Sequence, residues 1–310
     1  MRVIWKNGEL LPESEAHISV YDSALMFGDM VFEMTRSFKG IHFKLNEHLD
    51  RLYRSANHLR IDMPPPGDIA KACYEVSNSN QFASDDEHRL LINVSRGALG
   101  IYGDTGAHKG TNIVITDFPL RWTVSGMGKL FDTGINAVIP SQRTIPSSII
   151  DARVKHRSRL HFMVANIEVG QVNGDNNWAL LLDPDGYISE GTGANFFIVK
   201  NECLYTPERN ILGGISRAYV IETAKKAGIK CVETNLLPYD VLNAQEAFFT
   251  GTPFCILPVT SLNGRVIGRG ELTGITRHLL KNWSFAVGVD IIGQIKSWES
   301  EVAGTSPYKF

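Results

Sequence analysis

Short-spaced cysteines are missing from this sequence. Its four, Cys73, Cys203, Cys231 and Cys255, stand far apart and form no Cys-x-x-Cys. That argues against a disulfide scaffold and for free thiols in a reducing compartment. No apolar run approaches the roughly 18 residues of a membrane helix; candidates such as Trp178–Leu182 break off almost at once. The opening Met1-Arg2-Val3-Ile4-Trp5-Lys6-Asn7 lacks the apolar stretch and cleavage site of a signal peptide. The expectation is a cytoplasmic protein, neither secreted nor membrane-spanning. An excess of one charge is lacking too. The 31 basic and 33 acidic residues leave −2, with no block of like charge, so nothing electrostatic draws the chain to nucleic acid or an anionic membrane surface.

Several functional motifs are also absent. There is no Gly-x-x-x-x-Gly-Lys-Ser/Thr, which excludes a P-loop, and no Gly-x-Ser-x-Gly elbow of an α/β-hydrolase. The pairs Gly126/Gly128, Gly191/Gly193 and Gly268/Gly270 lack the third glycine of a dinucleotide fingerprint. The nine histidines form no His-Glu-x-x-His or short-spaced Cys/His cluster, so no metal site is expected. What is present is ordinary globular composition, 43% apolar and 21% charged over 310 residues, enough for two domains with buried cores.

Along the chain, Val3–Trp5 and Val31–Phe38 read as extended, the second alternating so that Phe32, Met34, Arg36 and Phe38 share a face. Leu45, Leu49, Leu52, Ala56 and Leu59 form a helical stripe that Met63-Pro64-Pro65-Pro66-Gly67 ends, and a second helix follows from about Asp68 to Ser77. Arg89–Ser95 and Asn112–Phe118 read as strands. Short strands at Ile135–Ile139, Trp178–Leu182, Asn195–Val199 and Glu246–Thr250 then alternate with helical patterns near Ser158–Gln171, Ser216–Ala227 and Thr273–Ala286. Many short strands with few helices predict a barrel-like sheet with flanking helices. The expected domains are 1–119 and 129–310, joined by a linker at 120–128, with a loose tail after Ser300.

Four local features in the second half gain meaning together. Lys155 ends an extended stretch before a helix. Glu190 ends a strand and is followed by small residues, Gly191-Thr192-Gly193-Ala194-Asn195. Leu212-Gly213-Gly214-Ile215-Ser216-Arg217 is a glycine turn delivering backbone N–H groups to a helix start, a ready anion site. Phe248-Phe249-Thr250-Gly251-Thr252-Pro253 is a strand ending in small hydroxyl residues.

In this order the set resembles the cofactor site of the fold-type IV pyridoxal-phosphate enzymes. These include branched-chain, D-amino acid and (R)-selective amine transaminases and aminodeoxychorismate lyase. The resemblance covers nearly the whole chain. Trp5-x-Asn7-Gly8, Phe27-Gly28-Asp29 with Val31-Phe32-Glu33, and Glu47-His48-x-x-Arg51-Leu52 match the family's opening segments. It implies an α+β, two-domain architecture, with a smaller N-terminal α/β domain and a larger C-terminal barrel-like β domain that binds the cofactor. It also implies a homodimer or higher homo-oligomer.

The family's chemistry gives each matched residue a role. Pyridoxal 5'-phosphate needs an amine for a Schiff base and a proton shuttle, which the resemblance assigns to Lys155. Glu190 would hold the pyridine nitrogen protonated, with Asn195 beside it. Gly214 and the N–H groups of Ile215 and Ser216 would take the phosphate, with Arg51 as the cation and Gly251 and Thr252 alongside. Leu212 would pack on a ring face. The implied reaction is transamination between an amino acid, branched-chain type favoured, and a 2-oxo acid. Lyase and D-amino acid or (R)-amine transaminase readings stay as alternatives. Leu160 stands where branched-chain enzymes carry tyrosine, and Ile101 where D-amino acid enzymes carry arginine. Phe32, Arg36 and Arg89 fall on the substrate side, and Pro253 removes one N–H from the turn that the family offers to the substrate carboxylate.

Overall fold

A computed structural model describes residues 2–299 except 103, 105, 107 and 175. The tail after Ser300 lies outside the described residues. The chain divides into two units, Met1–Leu120 with Val154–Arg159, and Arg121–Arg153 with Leu160–Phe310.

The strands of the first unit are β1 (Val3–Lys6), β2 (Glu9–Pro12), β3 (Met30–Met34), β4 (Ser37–Phe38), β5 (Ile41–His42), β6 (His88–Ser95) and β7 (Asn112–Pro119). Five of them form an antiparallel sheet in the order β2-β1-β7-β6-β3. Its helices are α1 (Ser23–Phe27), α2 (Leu45–His58) and α3 (Pro66–Ser79). The expected stripe of α2 is buried at Leu45, Leu49, Leu52 and Ala56. Because strand side chains alternate, Val31, Leu90, Ile92 and Ile115 form one core with α2, α3 and Val154. The opposite face then carries Phe32 and Met34, which pair across the ladder with Asn93 and Leu91.

One strand differs from its sequence expectation. The alternation predicts continuity from Val31 to Phe38, whereas β3 stops at Met34 and Ser37–Phe38 pair with Ile41–His42. Lys39 and Gly40, both at positive φ (53° and 75°), make the two-residue hairpin turn. Buried Glu87 anchors that hairpin, accepting from Ser37 Oγ at 2.5 Å, Lys39 N at 2.7 Å and Gly40 N at 3.1 Å.

The second unit contains β8 (Ile135–Val138), β9 (Asn177–Leu182), β10 (Ile188–Gly191), β11 (Asn195–Lys200), β12 (Cys203–Thr206), β13 (Cys231–Glu233), β14 (Glu246–Gly251), β15 (Cys255–Leu262) and β16 (Arg265–Val266). They form one mixed, curled sheet in the order β10-β9-β8-β15-β14-β11-β12-β13, with β16 on β15. Its helices are α4 (Arg121–Val124), α5 (Leu130–Thr133), α6 (Leu160–Gly170), α7 (Ile215–Lys226), α8 (Pro238–Leu242), α9 (Gly274–Val287) and α10 (Ile291–Ser297). Residues 120–128, expected as a linker, thus include α4. Cross-strand aromatics fill this core: Phe197 stacks on its register partner Phe248 with centroids 5.0 Å apart, and Phe196 meets Phe249 edge-on at 5.4 Å. Strand β15 escapes a sequence reading because Pro258 sits in its middle, opposite Phe248. Among the described residues no helix is long and apolar enough to cross a membrane.

Candidate active site

In the first unit, backbone hydrogen bonds fix the position of Lys155. Residues Val154–Arg159 lie along the free edge of β3. Val31 bridges His156, Phe32 N donates to Lys155 O at 3.0 Å, and Arg157 N donates to Met30 O at 3.0 Å. Lys155 N donates to Ser55 Oγ of α2 at 3.1 Å. This register puts Lys155 directly opposite Phe32, and its Nζ lies 4.6 Å from the Phe32 ring centroid.

Behind the same strand, on its core face, Glu33 is fully buried. It accepts from Arg51 Nε at 2.6 Å, Arg51 Nη2 at 2.8 Å and His48 Nδ1 at 2.7 Å. Burial alone would raise the carboxyl's pKa; the Arg51 guanidinium and His48 overturn that and hold it well below the usual range. Burial pushes His48 below its ordinary value despite Glu33, so its Nδ1–H serves as a neutral donor. Two of Arg51's nitrogens are therefore aligned by an acid that the sequence reading passed over. The signal was there: Glu33 occupies a core-facing position between Val31 and the following turn.

The other two arginines have different surroundings. Arg36, beyond the end of β3, is wholly buried, with Nε donating to Ser37 O at 3.2 Å and its guanidinium 3.9 Å from the Phe38 centroid. It thus stands outside the strand in which it was expected to alternate with Phe32 and Met34. Arg89 is buried on the Phe32 face, with Nη2 3.6 Å from Met34 Sδ and its guanidinium 5.8 Å from the Phe118 centroid.

In the second unit, Glu190 is buried at the end of β10. Its Oε2 accepts from Asn195 Nδ2 at 2.9 Å and from Leu212 N at 3.0 Å, while Asn195 Nδ2 also donates to Leu212 O at 2.9 Å. Leu212-Gly213-Gly214 then leads directly into α7. That 12-residue helix opens after Gly214 with no side-chain cap, so its first N–H groups form an uncapped N-terminus with Ser216 buried in the first turn. Glycine is required at 214, since a Cβ there would lie 2.0 Å from Asn195 Oδ1. Gly251 ends β14, where a Cβ would come within 3.0 Å of the Phe254 ring. Thr252 and Pro253 follow in the turn to β15. The expected residues Glu190, Asn195, Leu212, Gly214, Ile215 and Ser216 are thus brought together by direct bonds and chain continuity.

The model of the amino-transferase class IV family matches residues 30–262. The chain belongs to the class IV aminotransferases. It is 37% identical over 279 residues, 89% of this chain and 93% of the other, to the Methanocaldococcus jannaschii protein named "Putative branched-chain-amino-acid aminotransferase". It is 33% identical over 284 residues to the branched-chain-amino-acid aminotransferase of Escherichia coli strain K12, covering 89% and 90% of the two chains. Among solved structures, the T.th. branched-chain amino acid aminotransferase with pyridoxamine 5'-phosphate superposes with a TM-score of 0.82 at 27% identity, over 96% of this chain and 97% of that one.

The fold is that of the fold-type IV enzymes, the reaction is transamination and the cofactor is pyridoxal 5'-phosphate. The residues of this class IV chain fit that cofactor. An uncapped helix terminus with a glycine-only approach suits a phosphate dianion. A buried carboxylate held by an amide and a backbone N–H suits a protonated ring nitrogen.

Proposed function

We propose that this aminotransferase moves an amino group between a branched-chain-type amino acid and a 2-oxo acid, with Lys155 as its catalytic amine. One observation carries the reading: Val154–Arg159 leaves its sequence neighbours to join β3, so that Lys155 lies against Phe32. The relatives named above as branched-chain aminotransferases support the substrate class. So does the apolar character of Phe32, Met34 and Leu91 on the face that Lys155 shares. These relatives favour transamination over the lyase alternative.

When bound, the cofactor supplies an aldehyde and an electron-withdrawing ring that let a substrate Cα–H bond break. Lys155 Nζ provides the primary amine and carries the Cα proton. Glu190 keeps a proton on the ring nitrogen. Ile215 N–H, Ser216, Thr252 and Arg51 bind the phosphate, with Arg51 aimed by Glu33. Arg36, Arg89 and the Pro253 turn serve the substrate side.

We also assign the protein to the cytoplasm as a homodimer or higher homo-oligomer. Its four thiols are free, and Val20, Leu25, Phe27 and Ile101 of the first unit expose apolar surface that a second copy would cover. Light scattering tests the assembly, with a mass of at least twice 34.4 kDa expected. A donor panel of L-leucine, L-glutamate, D-alanine and (R)-1-phenylethylamine against 2-oxoglutarate and pyruvate tests the activity. Fastest turnover of L-leucine with 2-oxoglutarate is expected. Indifference to all amino acids, with pyruvate released from aminodeoxychorismate, would replace the reading with the lyase.

A further inference from the structure

Two residues beyond Lys155, Arg157 extends from the same side of the edge segment. Its guanidinium lies over the ring that Lys155 faces, with Cζ 3.7 Å from the Phe32 centroid, and Nη2 donates to Asn93 Oδ1 at 3.2 Å. Asn93 is the register partner of Phe32 on β6. The register row is Lys155, Phe32 and Asn93, and Arg157, opposite Met30, reaches diagonally over the Phe32 ring to Asn93.

The surroundings of this guanidinium are electrostatically incomplete. Its five N–H donors meet one side-chain acceptor, and that acceptor is a neutral amide. Among the described residues no carboxylate pairs with it. The charges that share its ring are cations: Lys155 Nζ lies 4.6 Å and Arg159 Cζ 5.6 Å from the Phe32 centroid. Partial burial and Arg159 push the Arg157 pKa down to about 10, which still leaves it charged at neutral pH. A half-buried guanidinium without a counter-ion calls for an anion. Its planar fork matches a carboxylate in two parallel hydrogen bonds, which a lysine could not offer.

We propose that Arg157 binds the α-carboxylate of the substrate and is a specificity-determining residue for amino acids over simple amines. This rests on the transaminase reading, because the anion beside Arg157 is then part of the molecule that Lys155 engages. The α-carboxylate is favoured over a distal one because Lys155 and Arg157 converge on a single ring. Asn93 and Phe32 hold the guanidinium in place before the anion arrives, which reduces the ordering cost of binding.

The test compares L-leucine with 3-methylbutylamine, the same molecule without its carboxylate. Both are titrated into wild-type, Arg157→Met and Arg157→Lys holoenzyme while the cofactor absorbance is followed. The preference for leucine over the amine should fall roughly tenfold to a hundredfold in Arg157→Met and recover in part in Arg157→Lys. Thermal shift with 4-methylvaleric acid, a carboxylate that cannot react, gives an activity-free readout. It should stabilise wild type and not Arg157→Met. An unchanged leucine-to-amine ratio, with undiminished stabilisation by the acid, overturns the proposal. So does a variant whose apoprotein binds pyridoxal phosphate more weakly while that ratio holds, since the anion would then be the cofactor's. If wild type ignores leucine yet shows Arg157-dependent stabilisation by the acid, the transaminase reading fails and the carboxylate site stands.

Discussion

Glu33 in the first unit and Glu190 in the second are both buried acids on strands, yet they are held by different means. Glu33 sits against a guanidinium and an imidazole at 2.6–2.8 Å. The bonds that Glu190 takes from Asn195 Nδ2 and Leu212 N come from neutral donors. The first arrangement neutralises the acid and ties α2 to β3. Neutral donors of this kind stabilise a carboxylate, which suits the ring-nitrogen role proposed for Glu190. Buried acids in one chain can thus be held by different kinds of donor, and the contrast can be tested by substitution.

The largest effect expected is from Lys155→Ala, which should abolish turnover. The backbone bonds of Lys155 to Ser55 and Phe32 survive the substitution, so circular dichroism should show an unchanged fold. Appreciable turnover without an added amine would refute the catalytic role. Glu33→Gln should cost about 3–5 kcal/mol of stability, because it strands the buried Arg51 charge. Urea denaturation measures this, and a loss under about 1 kcal/mol would erase the contrast drawn between the two acids. Glu190→Gln should do the reverse: little loss of stability, but a fall in rate of about a hundredfold at saturating cofactor. Equal rates for the two proteins would deny Glu190 its role. Gly214→Ala drives a Cβ onto Asn195 Oδ1 and should cost about 1–3 kcal/mol, with weaker cofactor uptake as the accompanying readout.

Acid sharpens the same comparison. Glu33 has a folded pKa below its ordinary 4.5, so its contribution is complete above pH 4.5 and is lost as pH falls. His48, buried neutral, also titrates lower than its ordinary 6.5, and its share begins to fade below that pH. Both losses fall on α2. Hydrogen exchange corrected for intrinsic rates should therefore show α2 losing more protection than α7 between pH 7 and pH 4. Equal losses would mean that the Glu33 cluster does not anchor the helix.

Local patterns made much of this molecule legible. The stripe from Leu45 to Ala56 marked α2 because helical periodicity survives without any partner. The glycine turn before Ile215 marked α7 because an anion-ready terminus has its own spelling. Strand β15 was hidden because Pro258 breaks the local pattern, and its place between β14 and β8 depends on distant chain. The ending of β3 at Met34 was hidden for a similar reason: the hairpin that follows is anchored by Glu87, far along the sequence.

Residue type and order alone carried the resemblance to the family, and through it singled out Lys155, Glu190 and the glycine turn before Ile215, because those short motifs are written in contiguous sequence. Tertiary structure decided which groups are neighbours. It put Lys155 on the edge of a sheet whose other strands end at Pro119, aimed Arg51 with a carboxylate from another element, and left Arg157 over Phe32 with an amide for company. Such pairings follow from strand register and helix docking. Those are settled by the burial of the whole core, and no window of sequence contains them.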